Sequence, residues 1–428
     1  MRRPTGLWAH RDFLKLWGAQ TISTIGTQVT LIALPLTAIL VLDAGTFAVA
    51  ALTAMDTLPF LLFALPAGIW IDRMRRRPLM VVAEVGRAAA LLSIPVAYLL
   101  DVLALPQLFA VGFLVGALGV VFDLSYLSYL PGLVGRERLA GGNARMEATR
   151  AGAQATGPGL GGALVGLFGA PIAILADAIS YAVSALLIGS IRYAEPAPAA
   201  ERRAALTELR EGIRYVFHQP YLRALTLSIG ASNLFTFMVI ALFMVYAVRR
   251  LGLSPELIGL VFTIANVAGL AGAFVSGRVV RWFGVGPTIV VTSVLATVSW
   301  LSVPLAPPSN PLPLIVAGAL LGPFFGVMFN LNQLSLRQAI TPERLMGRMN
   351  AVVRFMYWGT MPLGSLAGGA LATVIGIRPT LFVGIAGGTL AFAPLALTSL
   401  MRLRTIPTEA EEVPPLAPLV PAPAVTDA

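Results

Sequence analysis

Three aspartates interrupt long apolar stretches of the sequence, where a carboxyl group could bind and release a proton. They are Asp56, Asp123 and Asp177. A charge inside a bilayer costs several kcal/mol, so an acid retained there is a functional candidate by default. We predict that Asp56 or Asp123 is the proton-coupling residue, although a packing role for Asp123 is equally compatible with its position.

Other polar side chains in the apolar stretches have simpler roles. Glu84 and Arg87 lie one helical turn apart and are expected to neutralise each other. Four amides are predicted to line a transport pathway: Gln20, Gln28, Asn330 and Asn332. The sequence has no cysteine, and its two histidines, His10 and His218, lie in polar segments. We therefore expect no metal site, no cofactor and no enzyme activity; a Walker-type phosphate loop is absent as well.

The composition places these residues in a membrane. Of 428 residues, 57% are hydrophobic and 12% are charged, whereas soluble domains average about 25% charged residues. The net charge of +10 is carried by arginines in short loops between apolar stretches. This pattern is typical of cytoplasmic membrane loops, and we expect no nucleic-acid binding.

Twelve spans of about 20 apolar residues account for the hydrophobic stretches. The first eight are predicted at about residues 15–43, 47–71, 79–100, 105–133, 148–168, 171–191, 222–248 and 257–280. The uncharged stretch between Arg281 and Arg337 is divided by a proline-rich segment, 304–313, into spans 9 and 10. Spans 11 and 12 are predicted on either side of Arg378, ending near Leu400.

The arginines are unevenly distributed between the two sides of the predicted membrane. Loops on one side hold Arg249, Arg250 and Arg378. The termini and the loops after even-numbered spans hold Arg73, Arg75, Arg76, Arg77, Arg136, Arg138, Arg202, Arg203, Arg278, Arg281, Arg344, Arg348, Arg402 and Arg404. Both termini are therefore predicted to be cytoplasmic.

An internal repeat relates two segments about 206 residues apart. The matched pairs are 137–144 with 343–351, Arg150 with Arg354, Pro158 with Pro362, and 161–164 with 368–371. We predict an N-terminal six-helix bundle over 1–192, a linker with an amphipathic helix over 193–220, a C-terminal six-helix bundle over 221–404 and a disordered tail over 405–428. The linker helix is expected to lie at the cytoplasmic membrane surface.

The loop after span 2 resembles a motif of the major facilitator superfamily. It contains Gly68, Asp72, Arg73, Arg76 and Arg77 at the spacing Gly-x-x-x-Asp-Arg-x-x-Arg-Arg. The resemblance implies that Asp72 and the arginines form a charged latch that holds one conformation.

Asp56 lies 12 residues before Gly68, which places it about 18 Å along the helix, near the bilayer midplane.

A second motif, in span 5, resembles the Gly-Pro-x-x-Gly-Gly pattern of drug-exporting branches of that superfamily. Its residues are Gly157, Pro158, Gly161 and Gly162. Proline bends a helix, and the glycines allow close packing. We expect span 5 to pack tightly on span 8 through a small-residue face formed by Gly269, Gly272, Ala273 and Ser276.

Residues 11–404 as a whole resemble the efflux branch that contains enterobactin exporters and macrolide efflux proteins. The similar segments are 122–123, 129–131, 138–139, 143–144, 177–178 and 332–342. The sequence departs from that branch in span 1, where Thr27 follows Gly26 and many members have an acid. The implied fold is an all-α membrane protein with twelve transmembrane helices in two pseudo-symmetric bundles.

These features favour a secondary transporter that exports small amphipathic compounds, such as drugs, antibiotics or siderophores, by proton-coupled alternating access. Two alternatives stay open: an importer on the same fold, and a membrane receptor or scaffold that transports nothing. The expected partners are the lipid bilayer, a small-molecule substrate and protons. We expect a monomer in a bacterial inner membrane.

Overall fold

The computed structural model describes residues 6–71, 74–193, 195, 205–396 and 398–405, and every regular element in them is a helix. Predicted spans 1 to 6 correspond to six long helices. These are α1 (Arg11–Leu40), α2 (Thr46–Ile71), α3 (Arg76–Leu99), α4 (Leu105–Val134), α5 (Leu139–Phe168) and α6 (Ala170–Gly189). Their apolar composition and length are those of membrane-crossing helices.

The second half repeats this arrangement after a linker helix, α7 (Ala205–His218). Its helices are α8 (Pro220–Arg249), α9 (Pro255–Phe283), α10 (Val285–Val298), α11 (Ser302–Leu305), α12 (Leu312–Ala339), α13 (Glu343–Ile375), α14 (Ile377–Leu390) and α15 (Ala393–Ala396). Span 9 consists of α10 and α11, and span 12 consists of α14 and α15. Spans 7, 8, 10 and 11 are α8, α9, α12 and α13.

Nine of the twelve spans in the described residues are long and apolar enough to cross a membrane; spans 5, 11 and 12 fall short of that criterion. In α5 the first turns are polar and include Arg145, Glu147 and Arg150. The helix begins at Leu139, nine residues before the predicted start, because the prediction used the apolar stretch alone and left out these polar turns.

Two glycines end equivalent helices in the two halves. Gly169 (φ 82°) separates α5 from α6, and Gly376 (φ 88°) separates α13 from α14. This left-handed backbone conformation favours glycine because other residues would be strained. Arg378 therefore lies in the first turn of α14 rather than between spans, and its Nε donates to the carbonyl oxygen of Pro304 at 2.9 Å.

The packing of α5 and α13 confirms the internal repeat. Gly161 of α5 faces Val29 of α1, within its own half, and Gly368 of α13 faces Met238 of α8 in the same way. The next residue in each helix crosses to the other half: Gly162 contacts α9, and Gly369 contacts α2. The two bundles are thus related by an approximate twofold axis, as expected for duplicated six-helix units.

The two halves are packed together at the end of the bundle opposite the termini. One cluster of buried apolar side chains at this end includes residues of both halves, such as Ile32 and Leu242. Nearer the termini, the described residues form two separate clusters, one in each half. Arg249 donates to Asp43 at 2.6 Å across the closed end, but Asp43 is almost fully exposed, so the apolar packing dominates the closure.

The linker helix α7 packs against the second half. Val216 and Tyr215 are buried in the apolar cluster of that half, and the Tyr215 hydroxyl donates to the carbonyl oxygen of Ile340 at 3.1 Å. Glu211 pairs with Arg348 of α13 at 2.5 Å. These contacts attach α7 to the C-terminal bundle, and the location of this helix at the cytoplasmic membrane surface stays a prediction.

Candidate functional site

A cavity of about 200 Å³ lies between the two halves and exposes Asp123. Helices α2, α4 and α13 form its walls, and Phe60 of α2 stacks on Trp358 of α13 with 4.1 Å between ring centroids. Asp123 and Arg354 are the charged residues among the described wall residues, and they come from opposite halves. A water-accessible carboxyl group therefore faces a guanidinium group across the interface between the bundles.

Asp56, the other predicted proton carrier, lies outside this cavity wall. Its side chain is exposed, and its backbone carbonyl packs directly on Gly116 of α4. Within the described part of the chain, no charged side chain interacts with the Asp56 carboxyl group. The structure thus brings Asp123, but not Asp56, into a group of interacting charges.

Behind Asp123, Glu84 and Arg87 of α3 form a buried ion pair with an Oε1–Nη2 distance of 3.0 Å. The Glu84 side chain is fully buried. The Arg87 guanidinium lies over the rings of Tyr181, at 4.3 Å, and Phe122, at 4.7 Å. Aromatic faces stabilise a desolvated cation in this position.

Helix α6 adds a second fully buried acid, Asp177, to the same region. The hydroxyl of Thr30 donates to its Oδ2 atom at 2.5 Å, and that of Ser180 lies 3.0 Å from Oδ1. A Cβ atom at Gly26 would lie 2.5 Å from Oδ1, so only glycine fits at this crossing of α1 and α6. Thr27 occupies the position of span 1 where many members of the efflux branch have an acid, and its hydroxyl bonds the Tyr181 hydroxyl at 2.9 Å.

We call Glu84, Arg87, Asp123 and Asp177 the acid–arginine cluster. Arg87 interacts electrostatically with all three acids, which come from three different helices. Two fully buried carboxyl groups share one guanidinium, which can neutralise only one of them. If both were ionised, one negative charge would be unpaired in an apolar interior, and this would be costly. This arrangement can hold a proton, with Asp123 giving access to it from the cavity.

Sequence reasoning identified Glu84 and Arg87 only as a self-contained pair and gave Asp177 no partner. The spacing of Glu84 and Arg87 shows that they share a helical turn, but it does not show which helices pack against that turn. The sequence does indicate one thing about the cluster: all four charged residues lie in the same half of the chain and inside apolar stretches.

We expect Arg87→Gln to destabilise the protein far more than Glu84→Gln. Removing the arginine leaves two buried carboxyl groups without a counter-charge, a change that typically costs about 3–5 kcal/mol. Glu84→Gln removes the excess negative charge, so we expect a loss of at most about 1 kcal/mol. Thermal unfolding of both variants in the same detergent measures the difference. Equal destabilisation, or a larger effect of Glu84→Gln, would contradict the charge-sharing arrangement.

The four predicted pathway amides have different environments. Gln20 and Gln28 are half-buried in α1, and Asn330 is exposed in α12, where it lines a second cavity. The side chain of Asn332 is buried and donates to Ser276 of α9 at 2.9 Å, and its place in the pathway stays a prediction. A buried amide needs a hydrogen-bond partner, and the neighbouring helix supplies it.

The glycine–proline motif positions α5 between α1 and α9. Gly157 packs against Gln28 of α1, and Gly161 lies beside Val29. A Cβ atom at Gly162 would lie 3.0 Å from the Cα atom of Gly259 and 2.5 Å from the carbonyl oxygen of Pro255. Thr263 and Asn266 of α9 also bond the backbone of α5, at 3.0 Å and 2.7 Å. The predicted pairing of spans 5 and 8 is confirmed.

The residues of span 8 that we predicted to face span 5 are, however, wrong. Gly269 and Gly272 pack against Val327 and Phe324 of α12, within their own half, and Ser276 bonds Asn332 of the same helix. The α5 contact uses Gly259 and Thr263 instead. Both faces of α9 consist of small residues. Composition alone therefore does not show which face packs on α5 of the other half and which packs on α12 of the same half.

The predicted latch is described only in part, because Asp72 and Arg73 lie outside the described residues and nothing is described of the Gly68 environment. Arg76 bonds Glu195 through its backbone N–H at 2.8 Å and through Nη1 at 3.2 Å. Arg77 donates from Nε to the carbonyl oxygen of Ile188 at 3.2 Å and from Nη2 to that of Gly189. Arg76 thus bonds the linker and Arg77 bonds the end of α6, and the latch stays a prediction.

The chain matches a family model described as the Major Facilitator Superfamily, over residues 16–364 and 226–424. A relative from Mycolicibacterium fortuitum, named multidrug efflux pump Tap, is 28% identical over 368 residues, which is 83% of this chain and 88% of the relative. The matches therefore extend over both halves of the molecule.

Solved structures of transporters have the same fold. A bacterial homologue of the iron transporter ferroportin, in an inward-facing state, superimposes with a TM-score of 0.73 at 18% identity, covering 90% of this chain and 98% of that one. A bacterial homologue of the human lysosomal transporter Spinster, also inward-facing, gives 0.69 at 13% identity, covering 92% and 97%. At these identities the likeness establishes the fold alone.

Proposed function

This chain belongs to the major facilitator superfamily, and we propose that it exports small amphipathic compounds in exchange for protons. It is a multi-pass membrane transporter and not an enzyme. The observation that carries the proposal is the position of Asp123, which opens onto the cavity between the halves and connects that cavity with the buried acids behind it. The proton carrier in this proposal is Asp123, with Asp56 as the second candidate.

The coupling follows from the charges on either side of the cavity. Ionised Asp123 attracts both Arg87, in its own half, and Arg354, in the other half. Protonation of Asp123 removes its negative charge and therefore weakens the attraction between the bundles. A transporter of this kind uses such a change to favour one of its two access states over the other.

The cavity wall is compatible with an amphipathic cargo. Phe60, Phe355 and Trp358 provide apolar aromatic surface beside the two charges, a combination that is typical of small-molecule sites. The name of the Mycolicibacterium relative, a multidrug efflux pump, supports export of such compounds. The glycine–proline motif of α5, which resembles that of drug exporters, favours the same direction.

We further propose that the protein is a monomer in a bacterial inner membrane, with both termini in the cytoplasm. The bacterial source of the relatives supports the membrane, and the arginine asymmetry supports the orientation. The end of the bundle that is closed in the structure then faces the outside, and the cavity is accessible from the cytoplasm.

We expect expression of the chain in an efflux-deficient bacterial host to raise the inhibitory concentration of at least one amphipathic drug, because active export lowers the intracellular concentration. A drug-susceptibility panel with and without expression measures this, and Asp123→Asn provides an inactive control at equal membrane abundance. If no compound shows a shift and cells instead take up a nutrient, the chain is an importer and the export proposal is wrong.

A further inference from the structure

A second cavity, of about 590 Å³, lies inside the C-terminal half. It is lined by the first part of α8, the second part of α12 and the first part of α13, on the side of the bundle nearer the termini. Its wall includes Arg337 and, at the side shared with the Asp123 cavity, Arg354. No acidic residue is found among the described residues that line it.

Arg337 is buried in this wall without a counter-charge. Its side chain is 6% exposed, and its Nε and Nη1 atoms have no hydrogen-bond partner in the described chain. Nor does any carboxyl group there interact with the guanidinium. An unpaired charge in an apolar interior costs several kcal/mol, and native proteins rarely retain one without a functional reason.

The end of α12 does not account for this arginine. Arg337 lies in the last turn of that helix, where the helix dipole favours a cation by about 0.3–1 kcal/mol. This stabilisation is smaller than the cost of removing a guanidinium group from water. A further negative group is needed to neutralise Arg337, and the cavity has room for it.

The other polar residues of the wall are suited to an oxyanion. Five amide side chains line the cavity: Asn233, Asn330, Gln333, Gln338 and Asn350. Asn233 and Gln333 are held in place, since Asn233 donates to the carbonyl oxygen of Tyr357 at 2.6 Å and Gln333 donates to Asn330 at 2.9 Å. Arginine forms two parallel hydrogen bonds with carboxylate or phosphate, and amide N–H groups can complete the coordination of such an anion.

We propose that this cavity is a binding subsite for an oxyanion, with Arg337 as its main ligand, and that the cargo of the transporter carries a carboxylate or phosphate group that binds there. The assignment of the anion to a cargo rests on the proposed export function. The amphipathic cargo would place its anionic group on Arg337 and its apolar body towards Phe329 and Tyr357, which line the same cavity.

The binding test uses the purified full chain in nanodiscs of zwitterionic lipid and three naphthalene probes: 1-naphthoate, 1-naphthylmethanol and 1-naphthylmethylammonium. Because the probes share one ring system, differences in affinity report the charge. We expect 1-naphthoate to bind more tightly than the other two. We expect Arg337→Gln to weaken 1-naphthoate binding at least about tenfold and to leave 1-naphthylmethanol unchanged, with partial retention in Arg337→Lys.

Thermal stability separates a ligand-binding role from a structural one. If Arg337 is present for an anion, Arg337→Gln removes an unpaired buried charge and should raise the unfolding temperature of the ligand-free protein. If Arg337 only stabilises the end of α12, the variant should unfold at a lower temperature, and 1-naphthoate binding should survive. That pair of results would overturn the proposal.

Further measurements distinguish the sources of the anion and separate this inference from the export proposal. Nanodiscs containing anionic phosphatidylglycerol test whether a lipid headgroup is the anion that binds Arg337. If this lipid competes with 1-naphthoate for the site, the assignment of the anion to a cargo is wrong. Inorganic phosphate tests a free ion: competition at micromolar concentration would likewise overturn it. Binding needs no transport, so Arg337-dependent binding without any export would contradict the proposed function while supporting the oxyanion subsite.

Discussion

Asp123→Asn is expected to abolish pH-gradient-driven export while the protein still folds and reaches the membrane. Asparagine keeps the size of the side chain but cannot bind and release a proton, so the cavity loses its titratable group. The remaining acids, Glu84 and Asp177, are fully buried and lose their access to the cavity. We expect a loss of at least about tenfold in the initial rate of efflux, measured by dye efflux from energised cells.

Asp56→Asn is the matched comparison, because it removes a carboxyl group from an apolar stretch of the same half but outside the acid–arginine cluster. We expect this variant to retain most of its activity. If Asp56→Asn is inactive and Asp123→Asn is active, then Asp56 carries the proton and our choice between the two is wrong. Full gradient-driven efflux in both variants would exclude both acids as carriers.

Gly162→Ala is expected to prevent the tight closure of the two halves and to reduce transport severely. The added Cβ atom would meet backbone atoms of Pro255 and Gly259, which cannot rotate away as a flexible side chain would. Alanine is the better helix former by about 1 kcal/mol, so any harm must come from the contact between α5 and α9. The closed state shown here should then become rare, with transport reduced at least about tenfold.

The control for this variant is Gly152→Ala in the same helix, where an added Cβ atom has no neighbour within 4 Å. We expect it to be fully active.

Because the chain contains no cysteine, Asp43→Cys and Arg249→Cys can be combined and labelled for distance measurements across the closed end. Gly162→Ala should shift the distance distribution to longer values. An unchanged distribution together with normal transport would rule out α5–α9 packing as the closing contact.

The fold could be predicted from the sequence to a large extent because its determinants are local. Apolar stretches of sufficient length, the proline-rich break before α12 and the duplicated glycines of α5 and α13 all lie within single segments. The boundaries were less accurate where helix and membrane do not coincide, as at Leu139, where α5 begins in a polar segment. The matching positions of Gly169 and Gly376 show that the repeat extends to individual backbone conformations.

The candidate site could be predicted only in part, since it depends on which helix faces meet. Asp123 was identified from its cost in the membrane, but its relation to Arg87 and Arg354 requires the packing of three helices. Asn332 is predicted to line the pathway because it is polar, but its hydrogen bond to Ser276 of α9 depends on helix packing that the sequence does not show. The unpaired Arg337 is indistinguishable in sequence from any other arginine at the end of a helix.

The central claim, that export is coupled to protons through Asp123, is tested most directly in proteoliposomes containing the purified chain and a pH-sensitive dye. With a cargo identified in the susceptibility panel, wild-type protein should move protons in the direction opposite to the cargo, and collapse of the pH gradient with a protonophore should stop cargo accumulation. Asp123→Asn should show no cargo-dependent proton movement. Cargo accumulation that persists without a proton gradient, or proton movement that is unchanged in Asp123→Asn, would contradict the account.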